Sequence, residues 1–273
     1  MQAHYLPTST RFVTFAICIE QQHCIGLSMF RVSTDSPLRN PPCPISERQA
    51  VLLDGVRYSA DMAGIAIDRL WRQLCLISSA KEGDIRTHHI AEAALDAWSI
   101  IDAAHRMFDL VNGLPGLRNS SWRRTFEQRM SDALELRNMW QHQKDEAQRI
   151  VEERGQTWGA LAWAEHKDDQ PTGRWFLVVV GSALSGSQWF HAGPHKAIPR
   201  VGTRRIRLLH LGKEVYLARL VRDMFEALHH LEVDVSEGGL SLRGPKMDQP
   251  RPSDWVAWSV IEVIAAYQDR SGS

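Results

Sequence analysis

The stretch SERQAVLLDGVRYSADMAGIAIDRLWRQLCLISS, residues 46–79, predicts a long amphipathic helix that begins directly after Ser46. Ser46 and Gln49 have the spacing of a capping box, in which each side chain binds the backbone N–H of the other residue. Apolar residues then recur three and four positions apart, the spacing of one buried helix face, at Leu52, Val56, Ala60, Ala63, Ile67, Leu70 and Leu74. We therefore expect a helix from about residue 47 to residue 79.

Two further helical segments follow in the middle of the chain. Residues 86–112 carry apolar residues at nearly heptad spacing, and Gly113, Pro115 and Gly116 end the segment. A helical pattern then runs from about residue 120 to residue 154, which would be long for one helix of a globular domain. We therefore expect a kink or a break in this third segment, and the stretch 136–142 is the candidate position.

Segments rich in β-branched and aromatic residues lie on both sides of the helical middle. On the N-terminal side, residues 11–20 and 25–33 predict a β-hairpin, and a loop with several prolines follows. On the C-terminal side we expect strands at 157–165, 174–182 and 204–211, a helix at about 214–231, weak strands near 231–243, and a final apolar run at 255–267 that slightly favours strand.

These patterns together predict an α+β fold. It consists of an antiparallel helical bundle core with an N-terminal β-hairpin and a C-terminal mixed α/β region. We divide the chain accordingly into residues 1–45, residues 46–155 and residues 156–273.

Composition and charge limit the classes of function. The chain has 273 residues, of which 44% are hydrophobic and 23% charged, as is typical of a globular protein. Its 32 basic and 32 acidic residues cancel, which argues against bulk electrostatic capture of nucleic acid but not against a local basic site. The sequence has no signal peptide, no membrane-spanning run, no Cys-x-x-Cys pair and no metal-binding motif. We therefore expect a cytoplasmic protein with reduced thiols and without a cofactor.

The candidate catalytic site is the short motif that begins at Arg137 and Asn138 and ends at His142. An Arg and a His held close together suit phosphodiester cleavage, because Arg neutralises charge on the phosphate and His transfers a proton. Asn138 and His142 share one helix face, whereas Arg137 and His142 are splayed by about 140° on a straight helix. Either a local distortion of the helix or a second copy of the motif across a dimer would bring Arg and His together.

Arg137 also occupies a position on the apolar stripe of its helix, where a charge is costly unless it is paired. The stripe consists of Trp122, Phe126, Met130, Ala133, Arg137 and Trp140. The preceding helix offers Asp102, which could pair with Arg137 or orient a histidine, and His105 could be a second proton-transfer group. The alternative is structural: an internal ion pair at Arg137, and ordinary hydrogen bonds at Asp102 and His105.

The order of Arg137, Asn138, three further residues and His142 on a late helix resembles the HEPN superfamily. The pattern of that family is Arg, four to six residues and His, often with a polar residue directly after the Arg. The preceding helix, ALDAWSIIDAAHRMFDLV, is also similar to that of bacterial HEPN-type proteins of unassigned role. The resemblance covers about residues 46–155.

The resemblance implies metal-independent cleavage of RNA, usually by a homodimer in which two Arg/His motifs face each other in a cleft. Arg137 would stabilise the scissile phosphate, His142 would transfer a proton during attack by the ribose 2′-OH, and Asn138 would position the phosphate or His142. It further implies a HEPN-like bundle, a homodimer through the helical domain, and a toxin–antitoxin or phage-defence role with an antitoxin or other protein partner. Some members do not cleave RNA, so the alternative is a non-catalytic module that binds RNA or a protein.

Basic residues that precede the motif are weaker candidates for RNA contacts. Arg123, Arg124 and Arg129 lie on the same helical segment, together with Glu127 and Asp132. A local basic surface of this kind can bind a phosphate backbone. The alternative is an ordinary solvated helix face.

Overall fold

The computed structural model describes residues 30–39, 41, 45–80, 87–115, 117, 120–153, 156–165, 174–182 and 206–237. Within these residues the fold is α+β and mostly helical, as predicted, with five helices and one antiparallel sheet of four strands. The helices are α1 Glu47–Ser79, α2 Thr87–Gly113, α3 Ser121–Gln141, α4 Gln143–Glu152 and α5 Leu217–Ser236. The strands are β1 Ala160–Glu165, β2 Arg174–Val179, β3 Arg207–His210 and β4 Lys213–Tyr216.

The first helix begins and ends where its sequence predicts. The N–H of Gln49 donates to Ser46 Oγ at 3.2 Å, and Gln49 Oε1 accepts from the N–H of Ser46 at 2.9 Å. This is the predicted capping box, which satisfies two N–H groups at the start of α1. The second helix also has its predicted extent, to within one residue at each end.

Four of the helices, α1, α2, α3 and α5, pack around a common core. α1 runs antiparallel to α2: Gln73 Nε2 donates to Glu92 Oε2 at 2.6 Å, and Arg69 Nε lies 3.4 Å from Asp96 Oδ1. α1 packs against α2 and α5, and α3 packs against the same two helices. The pair of α2 and α5 therefore lies between α1 and α3. Fully buried side chains of α1, α2 and α3 include Leu70, Leu74, Ile100, Met107, Met130 and Leu136.

The sheet has the strand order β2-β1-β3-β4 and is joined to the helices through its central strand. Trp163 of β1 is 1% exposed, and its ring stacks on that of Phe176 with centroids 5.1 Å apart. Its Nε1 donates to Ser78 Oγ of α1 at 2.9 Å. β3 and β4 form a hairpin whose two loop residues, Leu211 and Gly212, both have positive φ, as a type I′ turn requires.

The chain after residue 210 differs from its predicted structure. We predicted a helix at about 214–231 and strands near 231–243, but residues 213–216 form β4 and α5 extends from Leu217 to Ser236. The reasons are tertiary contacts: Val215 pairs with Leu208 across the sheet and is buried. The apolar face of α5 also continues to Val235, which is buried in turn. Residues 238–243 lie outside the described residues.

Residues 30–33 are irregular, so the predicted strand 25–33 is wrong at its C-terminal end. The backbone is held against α1 instead, because the Val32 N–H donates to Asp61 Oδ1 at 2.9 Å. The Phe30 carbonyl also lies so close to Gly64 that any Cβ at position 64 would clash with it. The rest of the hairpin, most of the loop 181–202 and the apolar run 255–267 lie outside the described residues.

One hydrophobic cluster runs through the described parts of the chain. It includes Phe30 before the helices, the buried side chains of α1 to α3, and Leu208 and Leu231 after them. The division into residues 1–45, 46–155 and 156–273 stays a prediction about domains. Described residues of all three segments contribute side chains to this one cluster. None of the described helices is long and apolar enough to cross a membrane.

Candidate functional site

The predicted break in the third helical segment lies at His142, between α3 and α4. The N–H of His142 still donates to the carbonyl of Asn138 at 3.1 Å, but its φ of −99° and ψ of 26° leave the helical region. The carbonyl of His142 then accepts from the N–H groups of Asp145 and Glu146 at 2.7 and 2.9 Å, which starts α4. Because these two acids lie in the first turn of α4, they favour the new helix start.

Aromatic packing and two hydrogen bonds hold the break in place. Trp140 stacks on Trp98 of α2 with ring centroids 5.1 Å apart and an interplanar angle of 16°. Gln143 Nε2 donates to the carbonyl of Thr157 at 2.7 Å, and Trp98 Nε1 donates to the carbonyl of Trp158 at 3.3 Å. The segment that precedes β1 therefore fastens the start of α4 to α2. These contacts join residues far apart in sequence, and nothing local in the sequence predicts them.

Arg137 lies at the edge of the core and pairs with Asp102. The buried residues of the C-terminal part of α3 are Leu136 and Met139, so the buried stripe passes beside Arg137 and leaves its side chain 20% exposed. Arg137 Nε lies 3.7 Å from Asp102 Oδ1 and is buried without a hydrogen-bond partner. Asp102 was predicted either to pair with Arg137 or to orient a histidine, and in the structure it pairs with Arg137. The second oxygen of Asp102 accepts from Arg106 Nε at 2.7 Å.

His142 and Asn138 are exposed to solvent on the outside of the bundle. The His142 side chain is 68% exposed, and its Nδ1 lies 3.7 Å from Asp145 Oδ2, which is outside hydrogen-bond range. Among the described residues, no hydrogen bond or ion pair joins the side chains of Arg137, Asn138 and His142 to one another. Asp145 was not predicted as a neighbour of His142. Its position three residues after His142 in a helical pattern could have indicated the contact, because residues three apart are neighbours on a helix.

His105 is directed to its own helix. Its Nδ1 lies 3.1 Å from Asp109 Oδ2, one turn further along α2, and the imidazole is 16% exposed. The structure thus pairs His105 with Asp109, and Asp102 with Arg137 and Arg106. A role for His105 in proton transfer stays a prediction.

Two of the three arginines predicted to contact RNA are engaged in contacts within the chain. Arg123 donates from Nε to Asn112 Oδ1 at 2.9 Å, and its Nη2 lies 3.0 Å from Glu127 Oε1. Arg129 Nη1 lies 3.1 Å from Asp223 Oδ1 and 2.6 Å from Glu226 Oε2, and its hydrogen bond with Glu226 is the largest cause that raises its pKa. Arg124 is exposed. The local positive charge available to a phosphate backbone is therefore smaller than the sequence suggests.

Replacing Arg129 with alanine is expected to destabilise the fold by roughly 1–2 kcal/mol at neutral pH. The substitution leaves the buried carboxylate of Asp223 without its nearest partner. Burial already raises the pKa of Asp223, and the loss of Arg129 should raise it further. A carboxyl with a raised folded-state pKa binds protons more readily in the folded state, so the loss of stability should shrink as pH falls through that pKa.

Urea unfolding at about pH 7 and about pH 5 measures this effect. Arg124→Ala, on the exposed side of the same helix, is the matched control and should change stability little at either pH. The double variant Arg129→Ala with Asp223→Asn should recover most of the loss at neutral pH. A double variant as unstable as Arg129→Ala alone would contradict the explanation.

His210 is a buried histidine on β3 whose ring edge meets Trp98, with ring centroids 6.0 Å apart. It is 1% exposed, its Nδ1 has no hydrogen-bond partner, and burial lowers its pKa.

Below about pH 6.5, where an unperturbed histidine titrates, the unfolded chain therefore protonates His210 more readily than the folded chain does. Acidification through that range should lower the free energy of unfolding, and His210→Phe should weaken this dependence. Urea unfolding at about pH 7.5 and about pH 5.5 tests it, and an identical pH dependence in both proteins would contradict it.

Among the described residues, no group of three His, Cys, Asp or Glu side chains is placed to hold a metal ion.

Comparison of the chain with known proteins adds no relative. No protein-family model, curated protein or solved structure matches it. The resemblance to the HEPN superfamily therefore stays a prediction that rests on Arg137, Asn138 and His142 and on the helix before them.

Proposed function

We propose that the chain is an endoribonuclease that cleaves RNA without a metal ion, with Arg137, Asn138 and His142 at its site. The observation that carries the proposal is the break at His142. On a straight helix Arg137 and His142 are splayed by about 140°, and the chain leaves helical φ and ψ only at His142, whose N–H still donates to the carbonyl of Asn138. The two side chains would therefore meet one phosphate through a further distortion at this break or through a second copy of the motif. The break also presents the imidazole to solvent, directly after the last turn of α3 that carries Arg137 and Asn138.

The reaction would require RNA because its nucleophile is the ribose 2′-OH. The 2′ oxygen attacks the phosphorus and the bond from phosphorus to the 5′ oxygen breaks. One product then carries a 2′,3′-cyclic phosphate and the other a 5′-OH. His142 would accept the proton of the 2′-OH or supply one to the leaving oxygen. Arg137 would stabilise the charge on the phosphate, and Asn138 would orient the phosphate or His142.

Asp102 determines how Arg137 would meet the phosphate. It lies nearest to Nε of Arg137, and no hydrogen bond in the described part of the chain occupies the two terminal nitrogens. A guanidinium binds phosphate most strongly through two parallel N–H groups. Asp102 would therefore hold the side chain in place while the outer edge of the guanidinium contacts the substrate.

The test is incubation of the full chain with a random-sequence pool of single-stranded RNA in the presence of EDTA. We expect RNA to be cleaved to products with 2′,3′-cyclic phosphate ends, while DNA of the same composition stays intact. Cleavage that disappears only when EDTA is added would indicate a metal enzyme and contradict the proposal. Intact RNA at high protein concentration would contradict it as well.

The second candidate function is a non-catalytic module that binds RNA or a protein partner, such as an antitoxin. It is favoured by the ion pair between Arg137 and Asp102, which is the arrangement expected of a structural arginine. The acidic partners of Arg123 and Arg129 neutralise part of the local positive charge and so favour a protein partner over RNA. RNA that binds without being cleaved, equally to the wild type and to His142→Ala, would decide for an RNA-binding module. If the chain does not bind RNA at all, a module that binds a protein partner would remain as the second candidate function.

A further inference from the structure

We propose that a second copy of this chain binds in antiparallel orientation to the outward side of α1. The surface is a single row of exposed residues, which we call the α1 stripe: Val51, Asp54, Tyr58, Met62, Ile65, Arg69, Arg72 and Leu76. Its members follow one another three or four positions apart and so form a nearly straight line along the helix. The proposal does not depend on the proposed nuclease function.

The α1 stripe differs from the solvent face of an ordinary surface helix. Such a face is rich in charged and polar residues, whereas the middle of the α1 stripe is apolar over successive turns. Tyr58, Met62 and Ile65 are 47%, 45% and 42% exposed, and Val51 and Leu76 at the two ends are more exposed still. Single exposed apolar residues are normal on proteins, but a contiguous row of them marks a contact surface.

After its first turn, the other sides of α1 are covered by its own chain. α2 and α5 pack on it, and the segment of residues 30–39 lies along another side. Arg39 Nη2 lies 3.7 Å from Asp61 Oδ2, and Arg31 Nη2 lies 3.8 Å from Asp68 Oδ2. A partner therefore meets a narrow row of side chains on a helix whose other sides are covered after the first turn, which suits helix-to-helix packing.

Charge along the α1 stripe selects a second copy of the same helix, turned end to end. A two-fold axis that passes between residues 61 and 62 sets Tyr58 opposite Ile65, Val51 opposite Arg72, and Asp54 opposite Arg69. The two symmetric pairs of Asp54 with Arg69 bring opposite charges together. A parallel arrangement would instead bring Arg69 to Arg69 and Arg72 to Arg72, which repel each other.

Both charged residues can take a second partner. Asp54 contacts Arg57 at 2.7 Å and Arg69 lies 3.4 Å from Asp96, yet the two side chains remain 54% and 55% exposed. Self-complementarity of one patch about a two-fold axis is the property of an isologous dimer interface. The apolar centre would supply most of the binding energy and the charges would set the direction.

This pairing keeps the two candidate catalytic motifs apart. α2 and α5 lie between α1 and α3, so two copies joined at the α1 stripe carry Arg137 and His142 on their outer sides. The HEPN resemblance implies the opposite arrangement, in which the motifs of two copies face each other. The failure of the nuclease proposal and the failure of this interface would therefore be separate results.

The first test is sedimentation of the full chain and two variants. The wild type should sediment at twice the 31.0 kDa of one chain, and Met62→Glu should sediment as a monomer, because the axis brings its two carboxylates together. Val151→Glu, an equally drastic change at an exposed position of α4 (56% exposed), should remain a dimer. Circular dichroism should show that all three are folded, as expected for changes at exposed positions. A monomeric wild type, or a dimeric Met62→Glu, would overturn the proposal.

The second test fixes the direction of the two helices. In a chain whose native cysteines are replaced by serine, Met62→Cys should form a disulfide-linked dimer under mild oxidation, because position 62 lies beside the axis. Leu76→Cys should not, because antiparallel pairing sets the two copies of residue 76 far apart. Cross-linking at position 76 would show a parallel dimer and overturn the proposed pairing. A monomer in which Met62→Cys resists thiol reagents would show that another part of the same chain covers the stripe, and would overturn it too.

Discussion

Replacing His142 with alanine is expected to lower the rate of RNA cleavage by about 10²–10⁴-fold, the usual contribution of general acid–base catalysis. The free energy of unfolding should hardly change, because the imidazole is 68% exposed and only a distant contact to Asp145 is lost. The measurement is the initial rate of cleavage of a labelled RNA in EDTA, beside urea unfolding of the same preparations. His88→Ala, which removes another exposed histidine on α2, is the matched control and should cleave at the wild-type rate.

Arg137→Ala provides the second arm of this experiment. It should lower cleavage as well, because the charge that develops on the phosphate would lose the stabilisation that the proposal assigns to Arg137. Unlike His142→Ala, it should also cost some stability, since Asp102 loses one of its two basic partners and keeps Arg106. Cleavage that persists in both variants would contradict catalysis by this motif. Loss of stability without any loss of cleavage would show that Arg137 is a structural ion-pair residue.

Replacing Trp163 with alanine is expected to lower the free energy of unfolding by about 3–5 kcal/mol, as large-to-small changes of buried aromatics do. Trp163 is 1% exposed, stacks on Phe176 of β2 and binds Ser78 of α1, so its loss leaves a cavity and an unpaired hydroxyl. Urea unfolding followed by circular dichroism measures the change. Trp158→Ala is the matched control and should cost less stability, because Trp158 is 38% exposed, its ring makes a tilted contact with Trp140 at 6.2 Å between centroids, and its contact with Trp98 uses the backbone carbonyl.

The same experiment tests whether the helices and the sheet unfold together. Their buried side chains form one cluster, so Trp163→Ala should shift a single transition in which helical and tryptophan signals change at the same urea concentration. Two separate transitions, with the helical signal unaffected by the substitution, would show instead that residues after 156 form an independent unit. That outcome would favour the division of the chain predicted from its sequence.

Much of the helical part of the fold could be predicted, because its signals are local. The start of α1 depends on Ser46 and Gln49, which are three residues apart and bind each other. The break at His142 was expected because the segment 120–154 is too long for one helix. β4 could not be predicted in this way. Residues 213–216 continue an amphipathic pattern, and only the pairing of Val215 with Leu208 makes them a strand.

The candidate site shows the same division. Residue type and spacing were sufficient to select Arg137, Asn138 and His142. The predicted position of Arg137 on an apolar stripe also indicated that it would need a carboxylate partner. The predicted stripe is confirmed at Phe126, Met130 and Ala133. It is wrong by one position at its C-terminal end, where Leu136 and Met139 are buried and Arg137 is at the edge. The acidic partners of Arg129 lie on α5, about a hundred residues along the chain, and no pattern near Arg129 predicts these contacts.

The sequence by itself determined where α1 and α2 lie, because a capping box forms between residues three apart and apolar periodicity is a pattern of nearby residues. Tertiary structure alone decided which charges are paired, which face of α1 remains open and how the break at His142 is held. The reason is physical: pairing, burial and exposure of a side chain depend on groups that only folding brings near it. Spacing predicted the candidate Arg and His, whereas the ion pair with Asp102 and the solvent-exposed imidazole of His142 are properties of the folded chain.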